Sequence, residues 1–179
     1  YIGWTTSQPD LGLLGWTNAL HAHDPTVIQT IEYLPIHNWL LQNLEHTGMT
    51  SAWFDSFHDN IKNDVHGQLY STTTIMKQIV ELHEYDSGST PYSDRNQVIK
   101  FMISHDEQSV IQEMVEFSNY TLPQARERDK FYATILFTSL GVPMLLQGQE
   151  FGFKSGWLDD NGNGNWDEEK LDYRPIDWD

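Results

Sequence analysis

Apolar and polar positions along the chain switch between two periods, and the switches mark out its elements. Residues 27–31 (VIQTI) form a short β-rich run that stops at Glu32-Tyr33-Leu34-Pro35, which predicts a strand. A second strand is expected over 50–54. Next, Phe54, Phe57, His58, Ile61 and Val65 recur at helical spacing. Ser71-Thr72-Thr73-Thr74 offers hydroxyl N-caps to another helix, with Ile75, Met76, Ile79, Val80 and His83 on one face. After a polar loop at 86–91, residues 98–104 (VIKFMIS) predict a buried strand that runs into His105-Asp106-Glu107. A long helix is expected over about 124–140, with Tyr132, Ile135, Leu136 and Leu140 as its inner stripe. Gly141 suits a left-handed cap, and Pro143 prevents continuation. Residues 143–147 then predict a last short buried strand, ending in Gln147-Gly148-Gln149-Glu150.

Strands separated by helices imply parallel pairing through crossovers. Apolar strands without alternation imply a sheet covered on both faces. Each strand ends in polar residues at its C-terminal side, where a (β/α) barrel keeps its active site. A complete barrel takes about 250 residues, and this chain has 179. The expected class is therefore α/β, with either about half of a TIM-type barrel or a complete small α/β sandwich.

Composition narrows the chemistry. A net charge of −16 repels a nucleic-acid duplex and anionic membranes, so neither is an expected partner. No apolar run approaches the ~20 residues of a membrane span. The absence of Cys excludes disulfides, thiolate metal sites and a Cys nucleophile.

Three strand ends carry candidate chemistry. Glu32 is either a half-desolvated general acid or an exposed loop residue. Ile103-Ser104-His105-Asp106-Glu107 puts three ionisable groups at the end of a buried strand, where desolvation is costly. Alternation starts His105 and Asp106 on opposite faces unless the strand turns. Asp106 could instead be an ordinary helix cap. Gln147-Gly148-Gln149-Glu150-Phe151-Gly152 is a third polar end, whose glycines permit tight turning. His21-Ala22-His23 is expected on a surface loop, and the sequon Asn119-Tyr120-Thr121 has no evident role.

Together these segments resemble the α-amylase superfamily, glycoside hydrolase family 13. ISHDE resembles its fourth signature region, and PMLLQGQEFG its last-strand segment. TIEYLP with Trp39, followed by GMTSAWFD at 48–55, resembles the third region and the sixth strand. SHDE is more like branching enzymes, whereas TIEYLP is more like the trehalose-forming group. The resemblance implies a retaining glycosidase or transglycosylase acting on an α-glucan or malto-oligosaccharide. It also implies that residues 1–179 are the second half of the catalytic (β/α)8 barrel, about strands five to eight. Glu32 would be the acid/base, Asp106 the stabilising carboxylate and His105 a ligand of substrate hydroxyls. The family's nucleophile sits in a Gly-x-Arg-x-Asp segment, which does not occur here and is expected upstream with the N-terminal half of the barrel. The chain alone is accordingly expected to be inactive. A non-catalytic carbohydrate-binding or structural homologue is the alternative.

The acidic Asn/Gly-rich loop at 158–170 resembles an EF-hand loop in spacing. Asp159, Asn161, Asn163 and Gly164 occupy positions one, three, five and six, Asn165 offers a carbonyl, and Asp167 sits at position nine. Position twelve is Lys170, where a bidentate Glu belongs. Hard oxygen donors at alternating positions favour Ca²⁺, with affinity in the ~10⁻⁴–10⁻³ M extracellular range. Such a site suits an exported protein, where calcium is abundant. Millimolar calcium is expected to raise the melting temperature, and Asp159→Ala to abolish that rise. A melting temperature indifferent to calcium would leave a solvated loop.

Overall fold

Four strands form one sheet in the computed structural model, which describes residues 12–32, 47–68, 72–84 and 91–153. In chain order the elements are α1 Gly12–His23, β1 Thr30–Ile31, β2 Ser51–Phe54, α2 Asp55–Val65, α3 Thr72–Lys77, β3 Val98–Phe101, α4 Val110–Phe117, α5 Leu122–Thr138 and β4 Val142–Met144. Short 3₁₀ turns occupy Arg95–Gln97 and Gln149–Phe151. The sheet order is β1-β2-β3-β4. β1 pairs parallel to β2 (Thr30↔Ser51), and β2 parallel to β3 (Phe54↔Lys100). The fold is thus mixed α/β with a parallel sheet. The chain divides into two compact units: Tyr1–Ser56, Glu81–Lys100 and Leu140–Val142 in one, Phe57–Val80, Phe101–Ser139 and Pro143–Asp179 in the other. No helix among the described residues is long and apolar enough to cross a membrane.

The first unit holds most of the sheet. β1 is shorter than expected, and Val27 and Ile28 are exposed. Ahead of the ladder, the Thr50 hydroxyl accepts from the Gln29 N–H (2.9 Å) and donates to its carbonyl (3.1 Å). His21 and His23 lie in the last turn of α1 rather than on a loop. Leu14 and Thr17 anchor that helix, and the Thr17 hydroxyl donates to the Thr47 carbonyl. Gly48 (φ 69°) is required there, because a Cβ would lie 2.5 Å from the Thr17 carbonyl oxygen.

β3 is buried at every residue. One of them is Lys100, only 1% exposed, with its ammonium 5.3 Å from the centre of the Phe54 ring. Burial pushes Lys100 down to about 8, partly offset by the charges of Glu81 and Glu84. Burial, helped by the charge of Asp55, pushes Glu84 up to about 7 against the hydrogen bonds from Ser56. The Ser56 N–H in the first turn of α2 donates to Glu84 Oε1 at 3.0 Å, which satisfies one of the donors a helix start leaves open.

In the second unit α2 buries Phe57, His58, Ile61 and Val65, as the spacing predicts. Asp64, from its last turn, accepts from Arg128 Nη2 (2.6 Å) and from the Tyr132 hydroxyl (2.6 Å) of α5. Tyr132, Ile135 and Leu136 form the expected inner stripe of α5. That helix ends at Thr138, so Gly141 (φ 119°) is not its cap but belongs to the approach to β4. α3 stops at Lys77, and three tight turns follow (Gln78 N–H to Ile75 O, Ile79 N–H to Met76 O, Val80 N–H to Lys77 O), so Val80 is exposed rather than on an inner face. β4 is exposed rather than buried, because it is an edge strand. Trp39, residues 85–90 and the loop at 158–170 lie outside the described residues.

The coupling of Glu84 to Lys100 is testable by a double-mutant cycle. Glu84→Ala is expected to cost about 3 kcal/mol in urea unfolding, since it strips a buried ammonium of a carboxylate and orphans the Ser56 N–H. Lys100→Met in that background is expected to recover at least about 1 kcal/mol. Strictly additive effects would show that the two do not interact.

Candidate functional site

The strand ends place the candidate residues. β3 ends at Phe101, three residues earlier than expected, but Met102, Ile103 and Ser104 continue it as buried chain. The chain then turns at His105-Asp106. The turn brings the two side chains together instead of leaving them on opposite faces: His105 Nε2 lies 3.4 Å from Asp106 Oδ2. Both are open to solvent, at 69% and 54%. Ser104 fixes the turn from below. Its hydroxyl accepts from the Asp106 N–H at 3.2 Å, and its carbonyl accepts from the Glu107 N–H at 3.3 Å. Asp106 is not a helix cap, because Ser109 caps α4 through its hydroxyl, which accepts from the Gln112 N–H at 3.0 Å.

Glu32 follows β1 directly and is exposed, so of the two settings left open for it the structure shows the exposed one and not the half-desolvated one. A two-residue edge strand with a neighbour on one side covers the end of its chain poorly. Glu32 belongs to the first unit, His105 and Asp106 to the second. Asp159, Asn161, Asn163, Asn165 and Asp167 lie outside the described residues. Among the described residues no group of three or more His, Asp or Glu could hold a metal ion.

The Gln147–Gly152 segment folds as expected of its glycines. Gly148 (φ 99°) and Gly152 (φ 73°) are both left-handed, and Glu150 Oε2 accepts from the Gly148 N–H at 2.8 Å. Gln149 points inward. Its Nε2 is buried without an acceptor among the described residues and borders a cavity of about 10 Å³ with Ile103, Val110 and Asp129.

Asp129 was not foreseen. It stands in the charged run RERDK, which reads as a solvated face. Yet Ala125, Asp129, Tyr132 and Leu136 follow one another at spacings of four and three, so Asp129 falls on the buried stripe. Burial alone pushes its carboxyl from 3.8 up to about 6. The native chain therefore holds a proton there that the unfolded chain releases, and stability falls as pH rises from about 4 to about 6. Asp129→Asn is expected to remove that fall, a gain on the order of 2 kcal/mol at neutral pH measured by urea unfolding. An unchanged pH profile would mean that Asp129 is hydrated in solution.

No protein-family model matches the chain, and no curated protein does. Solved structures do. A pullulanase of Anoxybacillus sp. LM18-11 complexed with maltotetraose is similar at TM-score 0.64 and 21% identity, over 93% of this chain and 25% of that one. A second structure of the Anoxybacillus pullulanase is similar at TM-score 0.58 and 20% identity, over 88% of this chain and 26% of that one. SpuA, a multi-modular glycogen-degrading pneumococcal virulence factor in a product complex, is similar at TM-score 0.55 and 19% identity, over 76% of this chain and 16% of that one. The chain spans about a quarter of the length of the pullulanase and less of SpuA. At these identities the likeness shows the fold: this mixed α/β chain with its parallel sheet is built like part of those enzymes.

Proposed function

We propose that the chain forms part of a retaining glycosidase or transglycosylase that acts on α-glucans. The observation that carries this reading is the exposed His105–Asp106 pair on a fixed turn beyond β3, in a fold similar to a pullulanase solved with maltotetraose. Glu32, also beyond the end of a parallel strand, is the assigned acid/base. In the first step its carboxylic acid protonates the glycosidic oxygen as a carboxylate nucleophile attacks the anomeric carbon. In the second step its carboxylate takes a proton from water or from an acceptor hydroxyl, which displaces the nucleophile. Asp106 stabilises the oxocarbenium-like charge and accepts from sugar hydroxyls. His105 donates to a hydroxyl. The nucleophile is assigned to a Gly-x-Arg-x-Asp segment outside these 179 residues. Neutral sugars need no basic surface for capture, so a net charge of −16 is compatible with this chemistry. Calcium at Asp159–Asp167 belongs to the proposal as a loop-ordering ion.

Maltodextrin and pullulan turnover by the protein together with its upstream coding sequence tests the assignment. Glu32→Gln is expected to lower kcat about 10³-fold, and Asp106→Asn about 10²–10³-fold. Full activity in both variants would overturn it, and turnover by the 179 residues alone would overturn the placement of the nucleophile.

A further inference from the structure

His58 lies on α2 with Lys62 one turn further on, and His66 follows in the turn just past the helix end. It is only 5% exposed, and its ring stacks on Phe101 at 5.7 Å and 10°. Its Nδ1 is 2.6 Å from the Met102 carbonyl oxygen. A carbonyl only accepts, so Nδ1 carries a proton. Its Nε2 is 3.5 Å from Glu107 Oε2, an ion-pair separation. An ionised carboxylate also only accepts, so this contact attracts only if Nε2 carries a proton too. The geometry describes an imidazolium that donates from both nitrogens.

Its two partners bracket one segment. Met102 precedes and Glu107 follows Ile103-Ser104-His105-Asp106. Within the bracket Ser104 ties the backbone N–H groups of Asp106 and Glu107. We infer that His58 is a proton-operated clasp, a positioning residue that holds both ends of the turn carrying His105 and Asp106. The role of that turn in catalysis rests on the α-glucan reading above, whereas the clasp does not.

The charges around His58 decide how the clasp opens. On its own helix stand Asp59 and Lys62; from the turn comes Glu107. Lys62 Nζ is 3.8 Å from the same Glu107 oxygen and 3.6 Å from Glu113 Oε1, while Glu113 is also held by His66 Nε2 at 2.7 Å. When His58 loses its proton, a lone pair faces the Glu107 carboxylate, and Lys62 remains to draw that carboxylate away. Burial pushes the His58 imidazole down, but the bonds to Glu107 and Met102 and the charges of Glu107 and Asp59 outweigh it and hold it above the ordinary 6.5. The Glu107 end of the turn is therefore held below that raised value and released as pH rises through it, while Nδ1 keeps its bond to Met102.

Two measurements on the intact protein test this. Nitrogen-detected NMR of the His58 ring between about pH 5 and about pH 9 is expected to show both nitrogens protonated, with a midpoint above 6.5. Hydrogen exchange over 102–107, corrected for intrinsic rates, is expected to lose about tenfold in protection across that midpoint. Glu107→Gln, which keeps the shape of its partner, is expected to lower the midpoint by about one pH unit. In the intact enzyme the alkaline limb of kcat should move down with it. A neutral Nδ1–H tautomer throughout, or protection that ignores the midpoint, overturns the clasp. If His58 titrates as described while the intact protein turns over no α-glucan, the assigned activity falls and the clasp stands.

Discussion

A lysine buried in β3 constrains the packing of the first unit. Lys100 occupies the centre of a parallel sheet where a charge without compensation would be costly. Its surroundings are arranged to tolerate it. The β2–β3 register sets Phe54 opposite Lys100 and gives the ammonium an aromatic face. Glu84, equally buried, is coupled to Lys100 and also holds the Ser56 N–H at the start of α2. A shift of register by one residue would move Lys100 to the other face and break both arrangements. Even the approach to β4 is shaped by this strand. A Cβ on Gly141 would lie 3.1 Å from the Val98 carbonyl oxygen and 3.6 Å from Lys100 Cδ, so only glycine fits that left-handed position comfortably.

What the sequence reveals follows from contrast. α2 is legible because Phe57, Ile61 and Val65 alternate with polar residues at a helical period. α4 is harder to read, because it is only eight residues long and its buried first turns include the polar Gln112 and Glu113. The strand 98–101 is legible from its apolar run, yet nothing in that run says that its lysine stays inside. Residues 143–146 look equally apolar, yet Pro143 and Leu145 are exposed and Met144 and Leu146 only half-buried, since an edge position is a property of sheet order and not of local sequence. The candidate site divides the same way. A polar cluster after a buried strand marks His105 and Asp106, and the turn that joins them needs only Ser104, which is local. Asp129 looks like surface charge until its position on the helix stripe is counted. His58 looks like a core residue until its two partners, far along the chain, are known.

On the α-glucan reading proposed above, a group that meets substrate must satisfy two opposed demands. It must be open enough for a sugar to reach, and fixed enough that binding does not have to order it. The turn after β3 reconciles them by separating side chains from support. His105 and Asp106 project into solvent, while Met102, Ile103 and Ser104 beneath them are buried. Hydrogen bonds on backbone groups and on Ser104 fix the turn beneath them. His58 extends that support to a second element without entering the exposed surface. An exposed ion pair by itself contributes little to stability. The His105–Asp106 pair is thus hard to account for as a stabilising contact, whereas Ser104 and His58 below it bond to the segment that carries it. That asymmetry favours a role in recognition or chemistry for the two exposed residues and a role in positioning for the buried ones.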